Sequence, residues 1–411
     1  MLYFKNPELA ETYHVSLRTV LNWVEAAKQG KLDLELYETN DRSYITNTAR
    51  NVSAIERLVT DRRKYRNTRG LRVIRPKPEI YDIFDRQQLF DIIADLDIHH
   101  EIQRQYNYFD GGAEYWDEYA NRLGTEQHLN GVTFSIKLLD SCQAYLNDLT
   151  SRYKHVNVIE IGPGNALPVK KFLENLLLQG RLGRYVALDI SPAMIDIARR
   201  NFQSWFGTRI RFESREADIN YDRFADMLAE EYVRSRGQDT INLVLLLGGT
   251  LENFRSPDDA LRVIQNSMGT HDVLIRTMKL DTTSGRRLFQ FNVFNNPGGG
   301  SSFSPNHRFV FDLLNLDKSL YEIETGFDEQ KRQRYLRARL NVAVSIVFDF
   351  KEGSRQVDLH KGDTVLLWRY WHQDAFATIK QLDRNGFSLL YASLTPEQDF
   401  MLSVSRIKLG D

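Results

Sequence analysis

The chain has 411 residues, with 54 Lys and Arg against 55 Asp and Glu, so its formal net charge is −1. Its length predicts two or three domains, and its 42% hydrophobic and 27% charged residues are typical of a soluble globular protein. This balance excludes a strongly basic or acidic chain, so the overall electrostatics indicate no class of partner.

The sequence favours a reducing compartment and contains no evident membrane segment. Cys142 is the only cysteine, so no intrachain disulfide can form. Charged Lys5, Glu8 and Glu11 stand where a signal peptide needs an apolar core. The longest strongly apolar stretch, within residues 241–251, is far short of a membrane span. We therefore expect a soluble cytoplasmic protein, and because the histidines lack metal-ligand spacing we expect no metal.

Residues 1–68 predict a separate small module. Two helices are indicated by "PELAETYHV" and "SLRTVLNWVEAAKQGKL", two short strands by "LELYETNDRSYIT", and a basic-tailed helix by "SAIERLVTDRRKYRN". Helix, tight turn, helix, hairpin and helix is the order of a winged helix-turn-helix. The module resembles the DNA-binding head of MerR-type regulators and phage excisionases.

That resemblance implies that the second helix enters a DNA major groove. Arg18, Thr19 and Asn22 would then reach bases or phosphates, with Arg42 and Tyr44 on the wing. The phosphate contacts would come from the basic tail, namely Arg62, Arg63, Lys64 and Arg66. Residues 1–70 hold twelve Lys and Arg and nine Asp and Glu, which is a modest basic excess for a DNA binder. The alternative is a protein-docking module whose basic run is a solvated helix end.

Residues 69–100 predict a linker followed by an amphipathic helix. Gly70, Pro76 and Pro78 favour an extended start. The stretch "RQQLFDIIADLDIHHEI" follows, and its Leu/Ile face could pair two chains in a homodimer or pack on its own domain.

From about 150 to 281, apolar runs alternate with amphipathic runs. The predicted strands are 156–162, 184–190, 209–218, 240–248 and 271–280, and helices are predicted between them. This alternation predicts an α/β fold with a doubly wound, Rossmann-like parallel sheet. Such sheets bind ligands beyond the carboxyl ends of their strands.

The turn after the first predicted strand, in "VIEIGPGNA", contains Gly162 and Gly164. A dinucleotide fingerprint needs a third glycine where Leu167 stands, and Asp189 comes later than the acidic residue of that fingerprint. No G-x-x-x-x-G-K-[ST] phosphate loop is present. The pattern therefore favours a nucleoside ligand that lacks a pyrophosphate.

"VIEIGPGNA" resembles the first motif of class I S-adenosylmethionine (SAM) methyltransferases. The resemblance implies SAM as cofactor, with the turn around Asn165 passing close to its carboxypropyl arm. Glu160 would help position that arm or its ammonium group, and Asp189 would accept hydrogen bonds from both ribose hydroxyls. Asp218 would accept from the adenine amine, with Ile219 against the ring. The alternative for each carboxylate is a helix cap or a solvated loop.

Residues 105–411 are also similar to the ergothioneine-pathway histidine Nα-methyltransferase family. The matching blocks are "YFDGGAEYW", "LLLGGTLENFRSPDDAL", "FDEQKRQRYLRARL" and "LLYASLTPEQDFMLSVSRI". The similarity implies a methyltransferase domain at 101–411, whose acceptor region comes from 101–149 and 282–411. It also implies that Asn253 holds the acceptor amine, as a catalytic positioning residue. The alternative is a turn or cap residue.

The chain departs from that family at the substrate site. Val365 and Leu367 stand where the family has the glutamate and serine that grip imidazole, and Phe109 stands where a tyrosine is expected. These apolar substrate-site residues argue against histidine as the acceptor. Another amine with an apolar portion is one interpretation. The other is a non-catalytic DNA-binding regulator that senses SAM or a metabolite. The glycine-serine stretch 295–307 is either a lid or a surface loop.

Overall fold

In a computed structural model of the chain, the described residues are 3–13, 15, 17–30, 32–39, 42–65, 71–109, 111–126, 130–234, 239–282 and 305–409. They form two compact units. The first unit comprises Met1–Val73 with Ala343–Ser345, and the second comprises Ile74–Val342 with Ile346–Asp411.

The first unit contains the predicted order of two helices, a hairpin and a helix. Its elements are α1 Asn6–Thr12, α2 Leu17–Lys28, β1 Leu36–Thr39, β2 Arg42–Ile45 and α3 Ala49–Tyr65. Strands β1 and β2 pair antiparallel. Val20, Trp23 and Val24 are buried because they share one face of α2, and they pack with Leu9 and Ile45 in a small core.

The second unit contains most of the strands and helices. Its strands, after β3 Arg72–Ile74 at the boundary, are β4 His155–Ile161, β5 Leu182–Asp189, β6 Phe212–Glu216, β7 Thr240–Leu246, β8 Val273–Lys279, β9 Tyr321–Asp328, β10 Gln333–Leu340, β11 Val344–Phe350, β12 Gly353–Leu359, β13 Thr364–Trp371, β14 Phe387–Leu394 and β15 Phe400–Ile407. Its helices are α4 Ile80–Ile83, α5 Arg86–Ala94, α6 Gly112–Gly124, α7 Thr133–Thr150, α8 Lys170–Leu178, α9 Pro192–Phe206, α10 Ala225–Arg234, α11 Pro257–Ser267, α12 Pro305–Leu313 and α13 Ala375–Arg384.

The central sheet has seven strands in the order β6-β5-β4-β7-β8-β15-β14. β4 pairs parallel with both β5 and β7, and β15 pairs antiparallel with both β8 and β14. The chain moves outward from β4 to one side and then to the other, which makes the sheet doubly wound with its switch point between β4 and β7. The predicted Rossmann-like fold class is confirmed, and the five predicted strands lie within a few residues of their expected positions.

Helices cover both faces of this sheet. Every residue of β7 and β8 is buried, as expected for parallel strands with both faces covered. One core cluster includes Phe134, Leu173 and Phe202, and a second includes Phe224 and Leu261 on the other face. The apolar face of α5, which includes Leu89 and Ile92, is buried within this unit, so it does not form an open pairing surface.

A long insertion, residues 280–374, separates β8 from α13. It contains an antiparallel sheet in the order β13-β10-β9. Its two ends lie side by side, because the Asp281 amide donates to the Gln373 carbonyl at 2.8 Å. Residues 295–304 of the predicted lid or surface loop lie outside the described residues. None of the helices in the described ranges has the length and apolar character needed to cross a membrane.

Candidate functional site

The strand order brings the predicted cofactor residues to one edge of the sheet. Glu160 lies near the end of β4, Asp189 ends β5, and Asp218 follows the end of β6 by two residues. Because β5 lies between β4 and β6, and all three are parallel, their carboxyl ends are neighbours. The three carboxyl groups therefore lie at one edge of the sheet.

Both glycines of the first turn adopt conformations that side chains disfavour. Gly162 has φ +64° and Gly164 has φ +57°. A Cβ on Gly162 would lie 2.9 Å from Thr250 Cγ2, and one on Gly164 would lie 3.1 Å from Trp116 Nε1. The glycines therefore allow Thr250 and Trp116 to approach the turn, a contact that the sequence analysis did not anticipate.

Asn165 shapes this turn from inside the protein. Its amide nitrogen donates to Asp117 Oδ1 at 2.9 Å and to Asn121 Oδ1 at 3.1 Å, and its oxygen accepts from the Leu167 amide at 3.1 Å. The side chain is buried. These contacts hold α6 against the turn.

Glu160 is a buried acid beneath the turn. The Tyr185 hydroxyl donates to Glu160 Oε2 at 2.6 Å. Burial raises the pKa of Glu160 to about 8, and the hydrogen bond from Tyr185 lowers it only in part. The carboxyl group is thus largely protonated at neutral pH.

Asp189 and Asp218 also have raised pKa values. Burial raises the pKa of Asp189 to about 7, against the opposing effect of hydrogen bonds from the Ser191 and Ile190 amides. Burial is also the main cause of the raised pKa of Asp218, whose Oδ1 accepts from the Asn220 amide at 2.9 Å. Within the described ranges neither carboxyl group forms an ion pair, so a ligand with positive charge and hydrogen-bond donors suits them.

A cleft of about 740 Å³ opens beyond the ends of β5 and β6. Phe109, Tyr106 and Asp218 are among its walls, with Arg255 as its only arginine. The remaining lining residues are Gln87, Gln88, Asp91, Ala94, Asp95, His99, Gln103, Gln105, Ile190, Glu216, Ala217, Tyr221 and Asp222. Its many carboxylates and amides provide acceptors for a donor-rich ligand.

The two apolar residues that were predicted to contact the ligands lie in different places. Ile219 is buried in the core cluster with Phe224 and Leu261, and it is not among the residues that line the cleft. Ala217 lines the cleft instead. Phe109 does line the cleft, and its ring packs against Phe84 with centroids 5.0 Å apart.

Asn253 lies in a short turn after β7, and its side-chain oxygen accepts two hydrogen bonds. Its Oδ1 accepts from Arg104 Nη1 at 2.7 Å and from Trp368 Nε1 at 3.0 Å. Its Nδ2 donates to the Gly249 carbonyl at 2.9 Å. Because a carbonyl oxygen has two lone pairs, an acceptor amine could bind Oδ1 only by replacing one of these donors.

The late-strand residues next to Asn253 are not the predicted ones. Val365 and Leu367 are 0% and 2% exposed, so they belong to the packed interior. Trp368 donates to Asn253, and a Cβ on Gly249 would lie 2.5 Å from the Tyr370 hydroxyl. Trp368 and Tyr370, two residues apart on β13, therefore lie against the segment from Gly249 to Asn253. A register shift in the pairing of β10 with β13 near Leu367 makes this placement hard to read from sequence.

A buried ion pair fixes the turn that contains Asn253. Arg276 on β8 pairs with Glu252, and both side chains are almost fully buried. Arg276 also donates to Gln381 at 3.0 Å, and Gln381 donates to Asp258 at 2.8 Å. The turn is thus anchored to the central sheet and to α13.

The residues of the first unit that were predicted to contact DNA differ in their solvent exposure. Asn22 is exposed on α2, whereas Thr19 is buried in the small core and cannot face a groove. Tyr44 stacks against Tyr3 with ring centroids 4.9 Å apart. The remaining predicted DNA-contact side chains lie outside the described residues, namely Arg18, Arg42, Arg62, Arg63, Lys64 and Arg66.

Across the ranges that the structure describes, no group of three or more His, Cys, Asp or Glu could hold a metal ion. Comparison with known families gives one match. Residues 91–290 match the sequence model of a family described as histidine-specific, SAM-dependent methyltransferases. No curated protein matches the chain.

Solved structures similar to this chain are methyltransferases of low sequence identity. A magnesium protoporphyrin IX methyltransferase from Synechocystis PCC 6803 with bound S-adenosylhomocysteine has a TM-score of 0.38 and 12% identity, covering 74% of this chain and 98% of its own. A SAM-dependent methyltransferase from Clostridium acetobutylicum ATCC 824 has a TM-score of 0.36 and 10% identity, covering 72% and 100%. A glycopeptide N-methyltransferase complexed with SAM has a TM-score of 0.34 and 10% identity, covering 69% and 96%.

The contact between Gly162 and Thr250 can be tested by substitution. We expect Gly162→Ala to lower the free energy of unfolding by about 2–3 kcal/mol, since it adds a steric contact to the cost of a positive φ. Gly180→Ala is the matched control: its φ is +66°, nothing lies within 4 Å of its Cβ position, and we expect a loss of about 1 kcal/mol.

Denaturant titration measures both variants. Thr250→Ser removes Cγ2 but keeps the hydroxyl that donates to Leu247, so it should recover part of the Gly162→Ala loss. Equal losses for Gly162→Ala and Gly180→Ala would show that the Thr250 contact is unimportant.

Proposed function

We propose that this chain, whose residues 91–290 match the sequence model of a histidine-specific, SAM-dependent methyltransferase family, methylates a small-molecule amine or similar nucleophile other than histidine. The supporting observation is a row of one buried and two half-buried carboxyl groups at three neighbouring strand ends, beside an acceptor-rich cleft. SAM, when bound, supplies an electrophilic methyl group on a sulfonium cation.

The residues at the sheet edge fit this cofactor. Asp189 and Asp218, at and just after the ends of β5 and β6, would offer oxygen acceptors to the ribose hydroxyls and the adenine amine. Glu160 and Asp189 are acids whose ionised forms burial disfavours, and a cation nearby would stabilise those forms. The turn at Gly162 and Gly164 brings the backbone close to the same edge.

For the acceptor, we propose that Asn253 positions the nucleophile, together with Arg104 and Trp368. Exchange of one donor on Asn253 Oδ1 would let the acceptor amine bind there. Desolvation at this half-buried turn lowers the pKa of an amine and so favours the neutral form that attacks. The aromatic walls Trp368 and Tyr370 support an acceptor with an apolar, flat portion.

The pKa of Asp189 predicts how SAM binding depends on pH. Below pH 7 this carboxyl is mostly protonated and must lose its proton to accept from both hydroxyls, so affinity should rise between pH 6 and 8. The change should approach about tenfold per pH unit below 7. Calorimetry with SAM measures it, and Asp189→Asn should abolish the component centred near pH 7. Glu160→Gln is the control for any residual change near pH 8. Absence of SAM binding across this range would remove the proposal.

A methyl-transfer assay distinguishes a catalytically active methyltransferase from a non-catalytic sensor of SAM. Methyl-labelled SAM offered with a panel of aromatic and aliphatic amines should label at least one of them, and histidine should be a poor acceptor. Asn253→Ala should lower kcat, since it releases Arg104 and Trp368 from their shared acceptor. Preferential turnover of histidine would contradict the proposed acceptor class. Binding of SAM without transfer to any amine would favour the regulator described next.

The second candidate is a non-catalytic DNA-binding regulator whose methyltransferase-like domain senses SAM or a metabolite. The order of elements in the first unit and the exposure of Asn22 support it. Such modules commonly act in pairs, so this candidate includes a homodimer. A cytoplasmic location is also part of both proposals, based on the single cysteine.

A mobility-shift assay tests the DNA-binding part. The full chain should shift DNA at low salt and lose affinity as salt rises, because phosphate contacts release counterions. Asn22→Glu should weaken the shift, whereas Gln203→Glu, the same charge change at an exposed position of α9 in the second unit, should not. No shift at low salt would refute DNA binding.

A further inference from the structure

Arg104 lies between the two halves of the candidate site. It begins the short helical turn Arg104–Tyr108, and its Nη1 donates to Asn253 Oδ1 at 2.7 Å. Its guanidinium carbon lies 5.4 Å from the centroid of the Trp116 ring and 6.0 Å from that of Tyr108. Trp116 in turn contacts the turn at Gly164. One cation thus bridges the glycine turn and the Asn253 turn.

Three other arginines near this site form ion pairs with carboxylates. Arg276 pairs with Glu252, and Arg369 pairs with Glu101. Arg255 pairs with both Asp95 and Glu101. Arg104 forms no such ion pair with any described residue, and its partners there are a neutral amide and two aromatic rings. Its remaining N–H groups are suited to a planar, two-oxygen anion.

The positive charge of Arg104 affects the pKa values of neighbouring groups. His307 on α12 has its pKa lowered to about 4, by burial first and by the charge of Arg104 second. The same charge acts to lower the pKa of Tyr119, although burial raises that pKa overall. A half-buried cation without a counter-charge is costly, and a bound anion would remove that cost.

We propose that Arg104 is the carboxylate-binding residue of the site. This inference rests on the proposed function. The aromatic stack on Trp116 places the guanidinium beside the glycine turn, so the methionine carboxylate of the cofactor is the first source. A carboxylate on the acceptor, next to Asn253, is the second source. Both present the same chemistry to the guanidinium.

Two ligands that differ in the amino-acid end test the first source. Arg104→Gln should weaken the binding of S-adenosylhomocysteine on the order of 10- to 100-fold, the loss of a charge-assisted pair. It should leave the binding of 5′-methylthioadenosine, which lacks that end, unchanged. Arg122→Gln is the matched control, because Arg122 also stacks on an aromatic ring, Tyr119 at 5.2 Å, but is exposed. It should change neither affinity.

A second arm tests the acceptor source. With S-adenosylhomocysteine saturating, benzoate is titrated against its neutral analogue benzamide. Benzoate binding that the wild-type protein shows and Arg104→Gln loses, with unchanged S-adenosylhomocysteine affinity, assigns the carboxylate to the acceptor. If both S-adenosylhomocysteine and benzoate bind Arg104→Gln as they bind the wild type, the inference is overturned.

Two further outcomes concern the binding of the nucleoside itself. If Arg104→Gln also loses 5′-methylthioadenosine, the comparison moves to Arg104→Lys, which keeps the charge without the planar fork. There S-adenosylhomocysteine affinity should fall about tenfold, and unchanged affinity counts against the inference. If the wild-type protein binds neither nucleoside, the proposed function fails and this inference fails with it.

Discussion

The parallel pairing of β4 between β5 and β7 is the constraint on which the site depends. It brings the ends of three strands to one edge and creates the switch point beside the Asn253 turn. Burial of both sheet faces then makes that edge a place where carboxyl groups lie with little water around them. The raised pKa values of Glu160 and Asp189 are a direct consequence.

Local features were predictable because their physical causes are local. Fully buried parallel strands leave unbroken apolar runs such as residues 243–247, and Ser-Pro pairs mark helix starts. Ser191 and Ser256 do cap α9 and α11, accepting from the Met194 and Asp259 amides. The central sheet, its edge and the glycine turn therefore followed from the sequence.

The contacts of the acceptor side were not predictable in the same way. Asn253 meets Arg104 and Trp368, which are 149 and 115 positions away in the chain. No periodicity or spacing links residues so distant. Alignment with the family predicted that Val365 and Leu367 would line the substrate site. The register shift between β10 and β13 instead brings other β13 side chains to the turn that contains Asn253. In the first unit, Thr19 was predicted to contact DNA but is buried beside the small core that contains Val20 and Trp23.

The insertion at residues 280–374 leaves the sheet and returns to it at one point, where Leu280 bridges Gln373. Because the two ends of the insertion are adjacent, its length can change without a shift of the neighbouring strands. Related chains could therefore exchange or resize this segment, and with it Trp368 and Tyr370, while keeping the seven-stranded scaffold. The surroundings of Asn253 can thus diverge through changes in one segment, while the strands that carry Glu160 and Asp189 stay the same.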